Sequence, residues 1–315
     1  MSKKILLKTV SYYGTGGSCD YYYAPTSLEE LQDSFKNILN KKLPFFILGG
    51  GTNSLVSDKH WPGAVISLVQ LKKLTLSGNQ IEAEAGVTNT EVAELLHAKG
   101  LSGGEWMYLL PGQLGGTVRM NARCFGGEIS QVVTKILALN QTGEFVEFKG
   151  DKQVFRGYKD TIFMDEKFII AKAWLDFVPG DKIKIYEKMQ ENKNYRDGKG
   201  HFNYPSCGCV FKNDYKVGVP SGRLLEAAGC KKLSVGGAKV NPDHANFVYN
   251  VAGANSEDIL TLTLMMREAV YKEFGVWLEY EMEILGGLEL DILEQIKENK
   301  SPQYKIDKIE RLKVN

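Results

Sequence analysis

The chain has 315 residues, is 43% hydrophobic and 24% charged, and carries a net charge of +1. This is the composition of a folded protein with room for about two domains, and its charge balance excludes a global field toward nucleic acid or membrane, so any anionic ligand must be held by local groups. No apolar run approaches the ~20 residues of a membrane span. The N-terminal MSKKILLKTVSYYG is too short in its apolar core for a signal peptide, and five cysteines at no framework spacing point to reduced thiols in a cytoplasmic protein.

The first predicted element is a helix over 26–40, capped by Thr26 or Ser27, with Leu28, Leu31, Phe35, Ile38 and Leu39 as its apolar stripe. A strand with Phe45, Phe46, Ile47 and Leu48 follows at once and runs into Gly49, Gly50 and Gly51, the start of a β-α-β arrangement. Thr52, Asn53 and Ser54 come next. Short strands are expected at 63–68, 72–78 and 80–86, the last alternating apolar and acidic residues as a half-buried strand does. A helix over 88–100 has Thr88 or Asn89 as its cap and Gly100 as its stop. A second glycine block spans 109–130, followed by a hairpin turning at Gln141-Thr142-Gly143 and a strand over 168–178. Positions 183–200 are polar and basic, a helix fraying into a loop, and a domain boundary is expected there. A helix over 256–275 and a strand over 276–286 close the compact region. Residues 291–315 are a charged tail expected to pack loosely or extend.

The two glycine blocks carry the chemistry. A strand ending in Gly49-Gly50-Gly51 lets the backbone approach a ligand, and its N–H groups with the Thr52, Asn53 and Ser54 side chains suit a pyrophosphate. An ordinary strand-turn-strand would use the same glycines only to turn. The second block, from Pro111, has glycine pairs at Gly115-Gly116 and Gly126-Gly127, with Thr117 and Asn121 between. Two such loops suggest a long ligand held at several points, and a dinucleotide fits. Neither block is G-x-G-x-x-G between strand and helix, so a Rossmann nicotinamide site is unsupported. Cys207-Gly208-Cys209 is half of a metal motif with no second pair nearby and an isolated His201, so no metal is expected.

LGGGTNSLVSD, LPGQLGGTVRMN followed by FGGEI, GYKDT, NYPSCGCVFKN, GGAKVNPDHANFVYN and VWLEYEMEILG occur in that order. Together, from Ala24 to Gly286, they resemble the UDP-N-acetylenolpyruvoylglucosamine reductases. The resemblance implies an α+β fold: an FAD-binding module of the vanillyl-alcohol-oxidase type over 1–187, in two subdomains of about 1–68 and 69–187, then a smaller α/β substrate-binding domain over 188–290. It implies non-covalent FAD against the glycine blocks, NADPH as reductant, a UDP-sugar substrate and reduction of an enolpyruvyl ether in peptidoglycan precursor synthesis. A monomer without nucleic-acid or membrane partners is expected.

Hydride addition to such a substrate builds negative charge beside its carboxylate, which calls for a cation there and a positioned acid at the neighbouring carbon. The family's arginine, serine and glutamate correspond here to Lys159, Cys209 and Glu281. Lysine keeps the charge without the planar fork. A thiol, with an ordinary pKa near ~8.5, is a stronger acid than an alcohol. Tyr280 replaces the family's proline, and Arg123 replaces a small residue near the expected flavin. Substrate-binding candidates are Tyr158, Lys212, Asn213, His244 and Asn246, with Arg196 and Lys199 for the pyrophosphate of the UDP group. An exposed charge run is the rival reading of Arg196 and Lys199, and a structural turn that of His244 and Asn246. Two other functions fit the motifs: an oxidase of the same flavin superfamily on another sugar or alcohol, and a non-catalytic flavin- or UDP-sugar-binding homologue.

Overall fold

The computed structural model describes residues 5–165 and 168–313. The first four residues of the basic N-terminal stretch and the last two of the tail lie outside the described residues. Two compact units divide the chain: the first holds residues 19–50 and 62–195, the second residues 5–18, 51–61 and 196 onward. The boundary expected at 187/188 falls inside a helix, and the segments 5–18 and 51–61, assigned from sequence to the flavin module, belong to the second unit.

In the first unit, α1 (Leu28–Asn40) is capped by Ser27, whose Oγ accepts from the Glu30 N–H at 3.1 Å. It buries Leu31, Phe35 and Ile38 in a core shared with Ala64 and Ile66. Those two belong to a three-stranded sheet ordered Cys19–Tyr23, Trp61–Ser67, Phe45–Leu48. The last two strands run parallel, with Leu48 opposite Ser67. A five-stranded antiparallel sheet follows, ordered Phe145–Lys149, Val133–Leu139, Ile169–Asp176, Gln80–Glu84, Leu74–Ser77. Its expected hairpin is closed by Asn140, whose Oδ1 accepts from the N–H groups of Thr142 and Glu144, both at 2.9 Å. The helix α2 (Asn89–Lys99) has the Thr88–Glu91 capping box and ends at left-handed Gly100.

The second glycine block contains a short helix that glycine content concealed, α3 (Leu114–Arg119), which buries Leu114 and Val118. After the single turn α4 (Ile162–Asp165), α5 runs Lys182–Gly198 without the expected fraying. Ile185, Met189, Asn192 and Arg196 are all buried at helical spacing. Two of those four are polar, which is why the stripe reads as solvated in sequence.

The second unit has its own core, in which Leu55, Val210, Leu262, Met266 and Ile309 are buried. A three-stranded antiparallel sheet is ordered Ser234–Val235, Ala238–Val240, Val248–Asn250. It accompanies α6 (Ser221–Ala227) and α7 (Ser256–Phe274). The strand expected over 276–286 is regular only at Glu283–Leu285, which pairs in parallel with Ser54–Val56. The preceding residues are held instead by the Glu281 and Met282 N–H groups, which both donate to the Val210 carbonyl at 2.8 and 3.2 Å. The tail does not pack loosely. It forms α8 (Leu290–Lys297) and α9 (Ile306–Lys313), and Ile309 lies in the core at 5% exposure. Ile292, Ile296 and Leu312 also pack against that core, while most of the charged residues of the tail are exposed, so composition alone suggested an unattached segment. Among the described residues, no helix is long and apolar enough to cross a membrane.

Candidate active site

The glycines of the first unit separate into two kinds by what a Cβ would meet. At Gly115 it would lie 2.8 Å from the Ala85 Cβ, and at Gly127 2.1 Å from Trp106 Cδ1. These two permit close packing. At Gly116 and Gly126 a Cβ would meet nothing within 4 Å, and both residues are exposed. Gly50 is bound to the second block, its N–H donating to Gln113 Oε1 at 2.6 Å. Ser67, opposite Leu48 at the strand end that leads into Gly49, is buried, and its Oγ has no hydrogen-bond partner among the described residues. Open backbone beside a tight bend, with an unmatched buried hydroxyl, fits an extended ligand bearing a pyrophosphate. Ser67 was missed from the sequence because a lone serine ending an apolar strand carries no signal.

Thr117 and Asn121 are turned to other work. The Thr117 hydroxyl donates to Asn89 Oδ1 at 2.8 Å. Asn121, left-handed at φ 45°, donates to Glu128 Oε1 at 2.7 Å and to the Gly157 carbonyl at 2.8 Å, while its Oδ1 accepts from Ser130 N–H at 3.3 Å. Asn121 thereby binds the second glycine block to the turn carrying Tyr158 and Lys159. Arg156 fixes the same turn through Asp160 at 2.6 Å. Lys159 is 8% exposed and left-handed at φ 52°. Its ammonium is 6.0 Å from the Tyr158 ring centre, and the Arg123 guanidinium is 5.1 Å from the same centre. A non-glycine residue in this conformation is strained, and such strain gathers at functional sites.

In the second unit, Gly51 is left-handed at φ 69° and buried, and Thr52, Asn53 and Ser54 lead into the Ser54–Val56 strand. Asn53 Nδ2 donates to the Glu281 carbonyl at 3.0 Å, so this part of the first glycine block fixes Glu281. Cys207 is 1% exposed, and burial pushes its thiol far up, with Cys209 and Glu281 acting in the same direction. Those two groups therefore lie within electrostatic reach of one another's neighbour, and Cys209, unlike Cys207, is partly exposed. Asn246 is buried and clamps Phe211, accepting from its N–H at 3.0 Å and donating to its carbonyl at 2.8 Å. The Lys212 ammonium pairs with Glu279 at 2.6 Å, and Asn213 Oδ1 accepts from the Ser221 N–H at 2.8 Å.

Arg196 is 4% exposed, so it is not part of an exposed charge run. It gathers with Lys199, His201 and His244. Burial, then His244, Arg196 and Lys199, lower the His201 pKa to about 3. His201 stacks on Phe247 at 4.4 Å. Burial likewise lowers His244, whose Nδ1 accepts from the Asn246 N–H at 3.3 Å. The result is a cationic group with neutral imidazoles beside it. Among the described residues no cluster of His, Cys, Asp or Glu could hold a metal.

Known proteins give the class of this chain. The model of an FAD-binding domain matches residues 19–149, and the model described as UDP-N-acetylenolpyruvoylglucosamine reductase, C-terminal domain, matches residues 200–285. Together they define a flavin-dependent oxidoreductase. A UDP-N-acetylenolpyruvoylglucosamine reductase from Borrelia garinii subsp. bavariensis is 39% identical, covering 87% of this chain and 90% of that protein. One from Carboxydothermus hydrogenoformans is 36% identical, covering 86% and 89%. The crystal structure of the reductase from Thermus caldophilus superposes with a TM-score of 0.77 at 29% identity, over 90% of this chain and 98% of that one. The chain belongs to the UDP-N-acetylenolpyruvoylglucosamine reductase family, as the ordered motifs implied.

Proposed function

We propose that the protein reduces UDP-N-acetylglucosamine enolpyruvate to UDP-N-acetylmuramate at the expense of NADPH, a step of peptidoglycan precursor synthesis in the cytoplasm, and that it acts as a monomer. Gly49, Gly116 and Gly126 offer backbone to the flavin nucleotide, with Ser67 as an added donor, while Gly50, bonded to Gln113, holds the two glycine blocks together. FAD held there would supply a two-electron carrier between NADPH and the substrate, so that a hydride equivalent is added at the terminal vinyl carbon. The vinyl double bond becomes a single bond, and its electron pair moves to the carbon bearing the ether and the carboxylate. Lys159 steadies that carboxylate, a task for which a buried cation on a fixed backbone suits better than a mobile one. Cys209 gives its proton to the charged carbon, and Glu281 orients the developing enol. Arg196 and Lys199 bind the pyrophosphate of the UDP group. Tyr158, Lys212 and His244 line the substrate, while Asn213 and Asn246, engaged with backbone, shape the loops around it.

The observation that carries this reading is the bond from Glu281 N–H to the Val210 carbonyl at 2.8 Å, which sets the glutamate beside the residue following Cys209. The test is anaerobic. Flavin-loaded protein should bleach with NADPH and recover its yellow colour on addition of the enolpyruvyl nucleotide, with one NADPH consumed per product. Reoxidation only by oxygen, with no response to the nucleotide, would refute the proposal in favour of an oxidase.

A further inference from the structure

The reductase model ends at residue 285, and the chain continues into α8 and α9. This continuation is bound to one buried cation. Arg267, on α7, is 2% exposed. It donates to the Ile296 carbonyl at 3.1 Å and to the Gln295 carbonyl. Both carbonyls sit in the last turn of α8, where no intrahelical donor reaches them and the helix dipole is negative. The same guanidinium lies 4.2 Å from the Trp277 ring centre and 4.9 Å from that of Tyr280. Trp277 in turn donates from Nε1 to the Glu298 carbonyl at 2.8 Å.

Tyr280 connects this anchor to the chemistry. Its hydroxyl is 3.0 Å from Thr263 Oγ1 on α7, and its ring is 5.0 Å from that of Phe211. The backbones of Phe211 and Tyr280 form an isolated antiparallel bridge. Tyr280 immediately precedes Glu281, and Phe211 lies two residues after Cys209. A tyrosine in place of the family's proline brings a ring and a hydroxyl that need partners, and α7 with the tail supplies them.

We propose that the C-terminal segment 286–313 is a positioning clamp for Glu281 and Cys209, acting through the positioning residues Arg267 and Tyr280. The roles of Glu281 and Cys209 rest on the proposed function; the clamp itself does not. With the carbonyls of α8 withdrawn, the guanidinium loses its acceptors, moves, and releases the Tyr280 ring. A misplacement of about 1 Å at a reacting group costs on the order of 100-fold in rate.

The experiment uses the full-length, flavin-loaded chain with Arg267→Met, which keeps much of the stem volume and removes the donors. Stopped-flow spectra follow flavin reduction by NADPH and reoxidation by the enolpyruvyl nucleotide separately. Reduction should be unchanged, while reoxidation falls about 10- to 100-fold and gains a larger solvent deuterium effect as proton delivery becomes limiting. Arg267→Lys should recover part of the loss. Amide hydrogen exchange gives a readout independent of activity: protection at 209–211 and 280–283 should fall. Unchanged protection there, or equal losses in both half-reactions, overturns the clamp. If Arg267→Met does not fold, Trp277→Phe, which removes the bond to Glu298 and shrinks the ring beside the Arg267 guanidinium, should show the same split, and its absence overturns the proposal. Failure of the unaltered protein to respond to the nucleotide would count against the proposed function, while the exchange result would still decide the clamp.

Discussion

Gly115 and Gly116 are adjacent, both on α3, and should respond to alanine in opposite ways. A Cβ at Gly115 would lie 2.8 Å from the Ala85 Cβ and 3.2 Å from the Ala85 carbonyl oxygen. Carbon pairs are comfortable at about 3.5–4.0 Å, and the obstacle is backbone and a methyl group that cannot rotate away. The helix must therefore shift, also stretching the bond from Gly115 N–H to the Ala85 carbonyl, now 2.9 Å. Overpacking of this kind costs about 1–3 kcal/mol, and each kcal/mol lowers Tm by about 2–4 °C in a domain of this size. At Gly116 a Cβ meets nothing within 4 Å, and alanine favours the helix over glycine by about 1 kcal/mol. Gly116→Ala should therefore leave the apoprotein as stable or more so. If Gly116 belongs to the cradle proposed for the flavin nucleotide, the added methyl group would stand against that ligand, so FAD affinity should fall at least about tenfold, or 1.4 kcal/mol. Thermal melts of the apoproteins and titration by quenching of flavin fluorescence measure both quantities. Unimpaired FAD binding by Gly116→Ala would refute the division of these glycines into packing and cradle.

Cys209→Ser should retain substrate-driven flavin reoxidation, and Cys209→Ala should lose about 100-fold or more if this side chain is the acid; stopped-flow rates decide. Lys159→Gly removes a left-handed backbone cost of about 1 kcal/mol, so Tm should hold or rise while reoxidation by the enolpyruvyl nucleotide collapses. His201 resists protonation in the folded state from its ordinary 6.5 down to about 3, whereas the unfolded chain takes up the proton first. Its contribution to stability is therefore complete above pH 6.5 and declines as pH falls through that window; urea melts of His201→Phe should show a shallower decline than the unaltered protein. Gly275 is left-handed at φ 68°, and a Cβ there would lie 1.8 Å from the Gln303 carbonyl oxygen, so Gly275→Ala should loosen the tail and expose residues near 303 to limited proteolysis.

What was legible in the sequence was local and periodic. The caps of α1 and α2, the hairpin at Asn140, and the strand entering Gly49 are each specified by neighbouring residues. The ordered motifs identified the family because six of them occur in register. The rest depends on distant partners. Whether a glycine packs, as Gly127 does on Trp106, or faces open space, as Gly126 does, is decided by residues far along the chain. The burial of Arg196 on α5 depends on loops around His201 and His244. Asn53 looked like a ligand donor, yet its amide reaches the Glu281 carbonyl more than two hundred residues later.

The two cysteines of the 207–209 turn show how little residue type alone decides. They are separated by one glycine, left-handed at φ 75°, and face different surroundings, Cys207 buried and Cys209 partly exposed. Cys207 is packed in the core beside Tyr13, and burial makes its thiolate costly, so it behaves as a small hydrophobe. Cys209 stays partly exposed, with Val210 and Phe211 behind it held by Asn246. A proton donor must reach its substrate and be reprotonated from solvent in every cycle, and only Cys209 meets that requirement. The selective outcome is testable with iodoacetamide on the native protein: Cys209 should be modified well before Cys207, and modification should abolish reoxidation by the enolpyruvyl nucleotide while leaving FAD bound. Equal labelling of the two thiols would remove the structural basis for giving the acid role to Cys209.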